Sequence, residues 1–363
     1  MKLDSWAKTG TAETGRSAAL RPTLEAITDR GRRVVHWLAD QRGYSRIYLG
    51  GAPTAGLGSP KSDIDIFVVL DSDAPASSEQ IDFESDRVDV EFIRLSGLRA
   101  MVESASSFSA AADDLRQITA HSRSRMDFLT RFLLGEIIVD DGALAELQKL
   151  LKERQGEYLR LLVSRHCVDV QNITDDVVGA LLNEDIPSAD YQSREALYRA
   201  AEAYLASHGD PYVNTKWVWT KWERTVGDRL GEGVRQVLRD AHLPVPGEAV
   251  LRNVWLSQDL VAMAATGYAY QPVLSAGPEH CRRTPEYSLI PAADIYLVLR
   301  QANEAVSLSR QGVLLWGVSH GRRTQDALVE VQRILDSDGL SVSIDEIEGY
   351  YRMLVETGLL VEG

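Results

Sequence analysis

Cysteine is nearly absent. Cys167 and Cys281 are the two in 363 residues, far apart and in no Cys-x-x-Cys pattern. That excludes a disulfide framework and a structural zinc site, and fits a reducing, cytoplasmic compartment. No stretch approaches the roughly 18 uninterrupted apolar residues of a membrane span. Residues 1–22 lack the apolar segment of an export signal and read as a flexible tail. Basic residues are outnumbered, 39 against 53 acidic, for a formal charge of −14. Phosphate and anionic lipid demand a basic face, so a surface that coats nucleic acid or membrane is excluded, while a local basic groove is not. His36, His121, His166, His208, His242, His280 and His320 are scattered without ligand spacing. No internal repeat or low-complexity block occurs. What is present, 44% hydrophobic and 25% charged residues, suits two or three domains with real cores.

Organisation follows from periodicity. Thr23–Gln41 has a helical rhythm (Leu24, Ile27, Val34, Val35, Leu38), with Thr23 as its cap. Arg46–Leu49 reads as a strand running into Gly50-Gly51, and Asp63–Leu70 as a central strand. Asp71–Ser85 reads as a loop and Arg87–Arg94 as another strand. These make an α/β core over residues 23–100. Residues 101–276 take a helical period, with one long amphipathic face from Leu147 to Leu162 and further helices over Ser193–Ser207 and Tyr212–Ala241. Over 285–363, a hairpin (Ile295–Arg300, Ala305–Ser309), three helices and a terminal strand (Leu359–Val361) imply a winged helix-turn-helix. Ser343 and Glu346 form a capping box there. The expected class is α+β.

The chemistry concentrates in Ser62-Asp63-Ile64-Asp65. Alternate residues of a strand share a face, so Asp63 and Asp65 project together while Ile64 and Ile66 enter the core. Neighbouring carboxylates repel unless a hard cation lies between them, which points to magnesium. Asp89 and Glu91 repeat the pattern on a second strand, and three or four such acids suit phosphoryl or nucleotidyl transfer. The Gly50-Gly51 turn, with eleven residues between it and Asp63, would let backbone N–H groups approach a triphosphate. Gly56-Leu57-Gly58-Ser59-Pro60-Lys61 lacks the last glycine of a dinucleotide fingerprint. Pro60 stands where a P-loop ending in Lys61-Ser62 needs glycine.

Leu49-Gly50-Gly51, Asp63-Ile64-Asp65-Ile66 and Val88-Asp89-Val90 together resemble the nucleotidyltransferase superfamily that includes polymerase β-type and aminoglycoside-modifying enzymes. The resemblance implies that Asp63 and Asp65 bind Mg2+, and that Asp89 completes the metal site or deprotonates an acceptor hydroxyl. Glu91 rivals Asp89, since Val90-Glu91-Phe92 also fits. Gly50, Gly51 and Ser62 would contact the nucleotide, with ATP as the expected co-substrate. Tyr212 and Asn214-Thr215-Lys216-Trp217 look like a lysine-tryptophan segment of such enzymes, in which Lys216 would contact the triphosphate. The plain reading is that Lys216 and Lys221 are solvated helix lysines beside Trp217, Trp219 and Trp222. Arg131 lies on a helix that could also border the cleft, and is read first as a salt-bridge residue.

The C-terminal stretch Glu286–Gly363 carries six arginines, no lysine and twelve acids. Its last helix opens with Asp345, Glu346 and Glu348, which disfavours a DNA reader. Val306-Ser307-Leu308-Ser309, Gln311–Trp316, Gly321–Thr324 and Thr357–Leu360 resemble PqqD-like elements that recognise the precursors of ribosomal peptide natural products. Such elements hold a leader peptide as an added strand. The combined expectation is a Mg2+-dependent enzyme moving AMP from ATP to a hydroxyl of a ribosomal peptide or its product. Two alternatives stay open: a small-molecule transferase of the aminoglycoside kind with a structural winged helix, and an inactive peptide-binding scaffold.

Overall fold

The computed structural model describes residues 15–59, 62–71, 77–84, 86–110, 115–243, 247–292, 295–300 and 304–363. The expected tail lies outside them for residues 1–14. The first elements are α1 (Gly15–Arg42), β1 (Ile47–Gly50), β2 (Ile64–Leu70), β3 (Ser77–Phe83), β4 (Asp86–Arg94), α2 (Leu95–Ser106), the single turn α3 (Arg116–Thr119), α4 (Arg123–Leu134) and β5 (Glu136–Val139). The middle is largely helical: α5 (Ala143–Glu153), α6 (Gln155–Leu182), α7 (Ile186–Ser207), α8 (Val218–Thr225), α9 (Gly231–Asp240) and α10 (Gly247–Thr266). Small C-terminal sheets follow: β6 (Arg282–Arg283), β7 (Ser288–Ala292), β8 (Ile295–Arg300) and β9 (Glu304–Leu308), then α11 (Arg310–Ser319), α12 (Thr324–Ser337), α13 (Ile344–Glu356) and β10 (Leu360–Val361). The protein is α+β.

The chain divides into two compact units, one of residues 1–108, 121–161 and 211–220, the other of 109–120, 162–210 and 221–363. In the first, five strands run in the order β3-β4-β2-β1-β5. Only β2 and β4 pair in parallel; the other neighbours are antiparallel, so the sheet is mixed. Its two faces differ in the way strand alternation requires. Ile47, Leu49, Ile64, Ile66, Val68, Val88, Val90 and Phe92 point to one face and pack under Ile27, Val34, Val35 and Leu38 of α1. On the other face Tyr48 stacks on Phe67, with ring centroids 4.7 Å apart, and α4 lies over them through Phe128 and Phe132.

Several elements depart from expectation. The helix begins at Gly15, so Thr23 lies within it rather than at its cap. The segment read as a loop before Arg87 contains β3, a strand of largely polar residues with an exposed face, where hydrophobic alternation is weak. β5 interrupts the stretch read as wholly helical and completes the sheet beside β1. The face from Leu147 to Leu162 is shared by two helices, α5 and α6, with Arg154 between them.

In the second unit α7 and α10 pack together around Val177, Ala189, Val250 and Val254, and Asn253 Nδ2 donates to Ser193 Oγ across them at 3.1 Å. β7, β8 and β9 form an antiparallel sheet that contains the expected hairpin. The three expected helices follow it. Ser343 caps α13 by accepting from the Glu346 amide. The terminal strand β10 pairs antiparallel with β6. Among the described residues, no helix is long and apolar enough to cross a membrane.

Candidate functional site

The face of the sheet under α4 carries the acids. In the parallel β2–β4 pair, Asp65 lies opposite Asp89 and Phe67 opposite Glu91, so these four side chains share a face. Asp63 precedes β2 and is exposed; Asp65 and Glu91 are half-buried. Asp89 accepts a hydrogen bond from Gln80 Nε2 of β3 at 2.7 Å.

Gly50 and Gly51 explain how the site closes on itself. Gly50 is paired with Asp65 across the β1–β2 ladder. A Cβ at Gly50 would stand 2.7 Å from the Phe67 ring and 3.3 Å from Arg131 Cβ. Gly51 has φ +92°, and a Cβ there would stand 2.1 Å from Asp65 Oδ2. Only glycine satisfies both the left-handed turn and the carboxylate against it. The chain then winds through a tight turn, with the amides of Ala55 and Leu57 bound to Ala52 and Thr54 Oγ1 donating to the Gly51 carbonyl. Ser62, expected at the nucleotide, has its hydroxyl accepting from the Ser59 amide at 2.8 Å, which fastens the loop ahead of β2.

Periodicity alone missed part of the site. α4 places Asp127 and Arg131, one turn apart, over the acids. Arg131 lies 3.3 Å from Asp65 Oδ2 and 3.0 Å from Asp127 Oδ2. The helix is held there by a buried hydroxyl cluster. Thr130 Oγ1 is 2.6 Å from Tyr158 Oη and donates to the Pro211 carbonyl at 3.0 Å, and Tyr158 Oη reaches the Met126 carbonyl at 2.9 Å. Because Thr130 holds Pro211, the next residue, Tyr212, falls beside Arg131, Asp127 and Asp65, whose charges it feels. Arg131 was legible as a salt-bridge residue, but its partner was not; Asp127 gave no signal in the sequence.

The electrostatics are those of crowded acids around one cation. Burial raises the Asp65 carboxyl above its usual range; Arg131 opposes this, while Asp89, Asp127 and Asp63 reinforce it. Glu91 is raised by burial in the same way, with Arg131 opposing and Asp65, Asp127 and Asp89 adding to it. Burial pushes Tyr212 up to about 12 despite Arg131. Carboxylate oxygens beside a glycine turn are donors of the kind a hard cation takes. Among the described residues no three His, Cys, Asp or Glu side chains converge as a ready metal cluster. Arg131 is the cation now placed at Asp65.

No protein-family model matches this chain, and no curated protein matches it either. Lys216 is exposed, follows the Asn214 cap of a single 3-10 turn, and has its Nζ 5.2 Å from the Trp217 ring centroid. It is not among the charges that weigh most on Asp65 or Glu91. Lys221 is not the solvated lysine of the plain reading. It is 1% exposed and paired with the equally buried Glu202 at 2.9 Å.

Proposed function

We propose that the chain is a Mg2+-dependent nucleotidyltransferase. It would move a nucleoside monophosphate, AMP from ATP in its simplest form, to a hydroxyl of a ribosomal peptide natural product or its precursor. The observation that carries this reading is the β2–β4 register, which sets Asp65 opposite Asp89 on one face while the Gly51 turn presses against the Asp65 carboxylate. Asp63 and Asp65 would hold the metal, with Asp89 completing the set. The metal would draw charge from the phosphates and orient them. Asp89, or Glu91 one pair further along the same face, would take the acceptor's proton. The acceptor oxygen then bonds to the α-phosphorus as the bond to the bridging oxygen breaks and pyrophosphate departs. Gly50 and Gly51 offer backbone approach to phosphate, and Lys216 remains a candidate for later contact with it.

In this reading residues 285–363 are a PqqD-like winged helix in a cytoplasmic enzyme. The exposed outer strand β9 supports that role, since it offers a sheet edge to a leader peptide. A second reading, an inactive peptide-binding scaffold, draws support from the Arg131–Asp65 ion pair, which fills the place a metal needs. Incubation with each NTP and with short peptides encoded beside the gene separates them. The transferase reading expects pyrophosphate release that Asp63→Ala/Asp65→Ala abolishes. Release that survives both substitutions sinks the metal assignment, and release by neither protein favours the scaffold.

A further inference from the structure

We infer that Arg131 and the divalent cation exchange places on Asp65, and that the displaced guanidinium, still tethered to Asp127, then binds the nucleotide's phosphates. This rests on the metal reading above and adds a residue that the resemblance does not assign. Arg131 is built into the site. Its Cβ lies so near Gly50 that any side chain at position 50 would crowd it, and its neighbour Thr130 is locked to Tyr158 and Pro211. Its two carboxylate contacts are unequal, 3.0 Å to Asp127 on its own helix and 3.3 Å to Asp65 on the sheet.

A guanidinium keeps its charge at any working pH. Two cations within a few ångströms of one carboxylate repel each other, so a metal arriving at Asp65 must drive Arg131 off it. The stem is anchored and Asp127 sits one turn away, so the displacement is a swing of the head alone. The side chain has capacity to spare: Nε is buried and has no hydrogen-bond partner among the described residues. A planar fork of donors beside a metal-bound carboxylate is suited to phosphate oxygens.

The exchange predicts effects of opposite sign, which a merely structural arginine would not give. Mn2+ binding to the full chain is followed by loss of the free-ion electron paramagnetic resonance signal, first without nucleotide. Arg131→Gln should bind Mn2+ about fivefold tighter than wild type, because the competing charge is gone. Arg131→Lys, which keeps the charge, should stay within about twofold of wild type. With Mn2+ saturating, ATP should bind Arg131→Gln about tenfold more weakly. Unchanged or weaker Mn2+ binding by Arg131→Gln overturns the exchange, as does a lysine variant that binds as tightly as the glutamine one. Asp65→Asn isolates the underlying reading. If it binds Mn2+ as well as wild type, the metal assignment itself falls and the exchange with it. If it loses Mn2+ while Arg131→Gln matches wild type, the exchange alone is wrong.

Discussion

At residue scale, one contact carries much of the account: Gly51 against Asp65. The glycine turn and the acid were each visible in the sequence, because a Gly-Gly pair and a period-2 run of acids are local patterns. Their mutual dependence was not, since it arises from the β1–β2 register. It has a direct consequence. Gly51→Ala would need a positive φ and a Cβ 2.1 Å from the carboxylate oxygen. We expect it to cost about 1–3 kcal/mol in urea unfolding and to move Asp65. A cost near zero would mean that the turn relaxes freely and does not shape the site. Arg131 and Tyr212 were each singled out in the sequence, but their grouping with Asp65 was not. Asp127, Arg131 and Tyr212 reach the acids from a helix and a later loop, and no spacing rule links residue 65 to residues 127 and 212.

At the scale of elements, legibility followed burial. β2 and β4 were read with small boundary shifts because alternate positions are apolar and buried. β3 was missed because its exposed polar residues resemble a loop, and β5 because four residues within a helical stretch give no period to read. α11 ends in a feature with a measurable signature. His320, at its C-terminal cap, is buried beneath Trp255 and accepts a hydrogen bond from the Arg283 amide at 3.3 Å. Burial, then the charges of Arg283, Arg282 and Arg322, push its pKa from 6.5 down to about 2. The folded protein therefore holds this ring neutral while the unfolded chain protonates it below about 6.5. Stability is lost as the pH falls through that value. Between pH 7.5 and 5.5 the loss from His320 amounts to about 1.4 kcal/mol in urea unfolding, and His320→Asn should lack that component. An identical pH dependence in the two proteins would contradict a neutral, desolvated ring.

At the scale of the whole molecule, the −14 charge is unevenly used. Some acids are locked in buried pairs: Glu202 with Lys221, and Asp259 with Arg283 at 2.8 Å, the latter joined by the Tyr270 hydroxyl. The second of these ties α10 to β6, and Trp255 Nε1 donates to the Arg283 carbonyl nearby. The C-terminal sheets and helices are thus continuous in their packing with α10, a linkage that composition shifts along the chain did not reveal. Other acids gather on one face of the N-terminal sheet, where Arg131 is paired with Asp65. On the proposed reading, a divalent cation and a nucleotide would take up that charge. Calorimetric titration of the full chain with ATP, with and without Mg2+, tests it without knowledge of the acceptor. The expected result is Mg2+-dependent binding that Asp63→Ala/Asp65→Ala weakens at least about tenfold. Equal affinity in the two proteins, or binding indifferent to Mg2+, would contradict it.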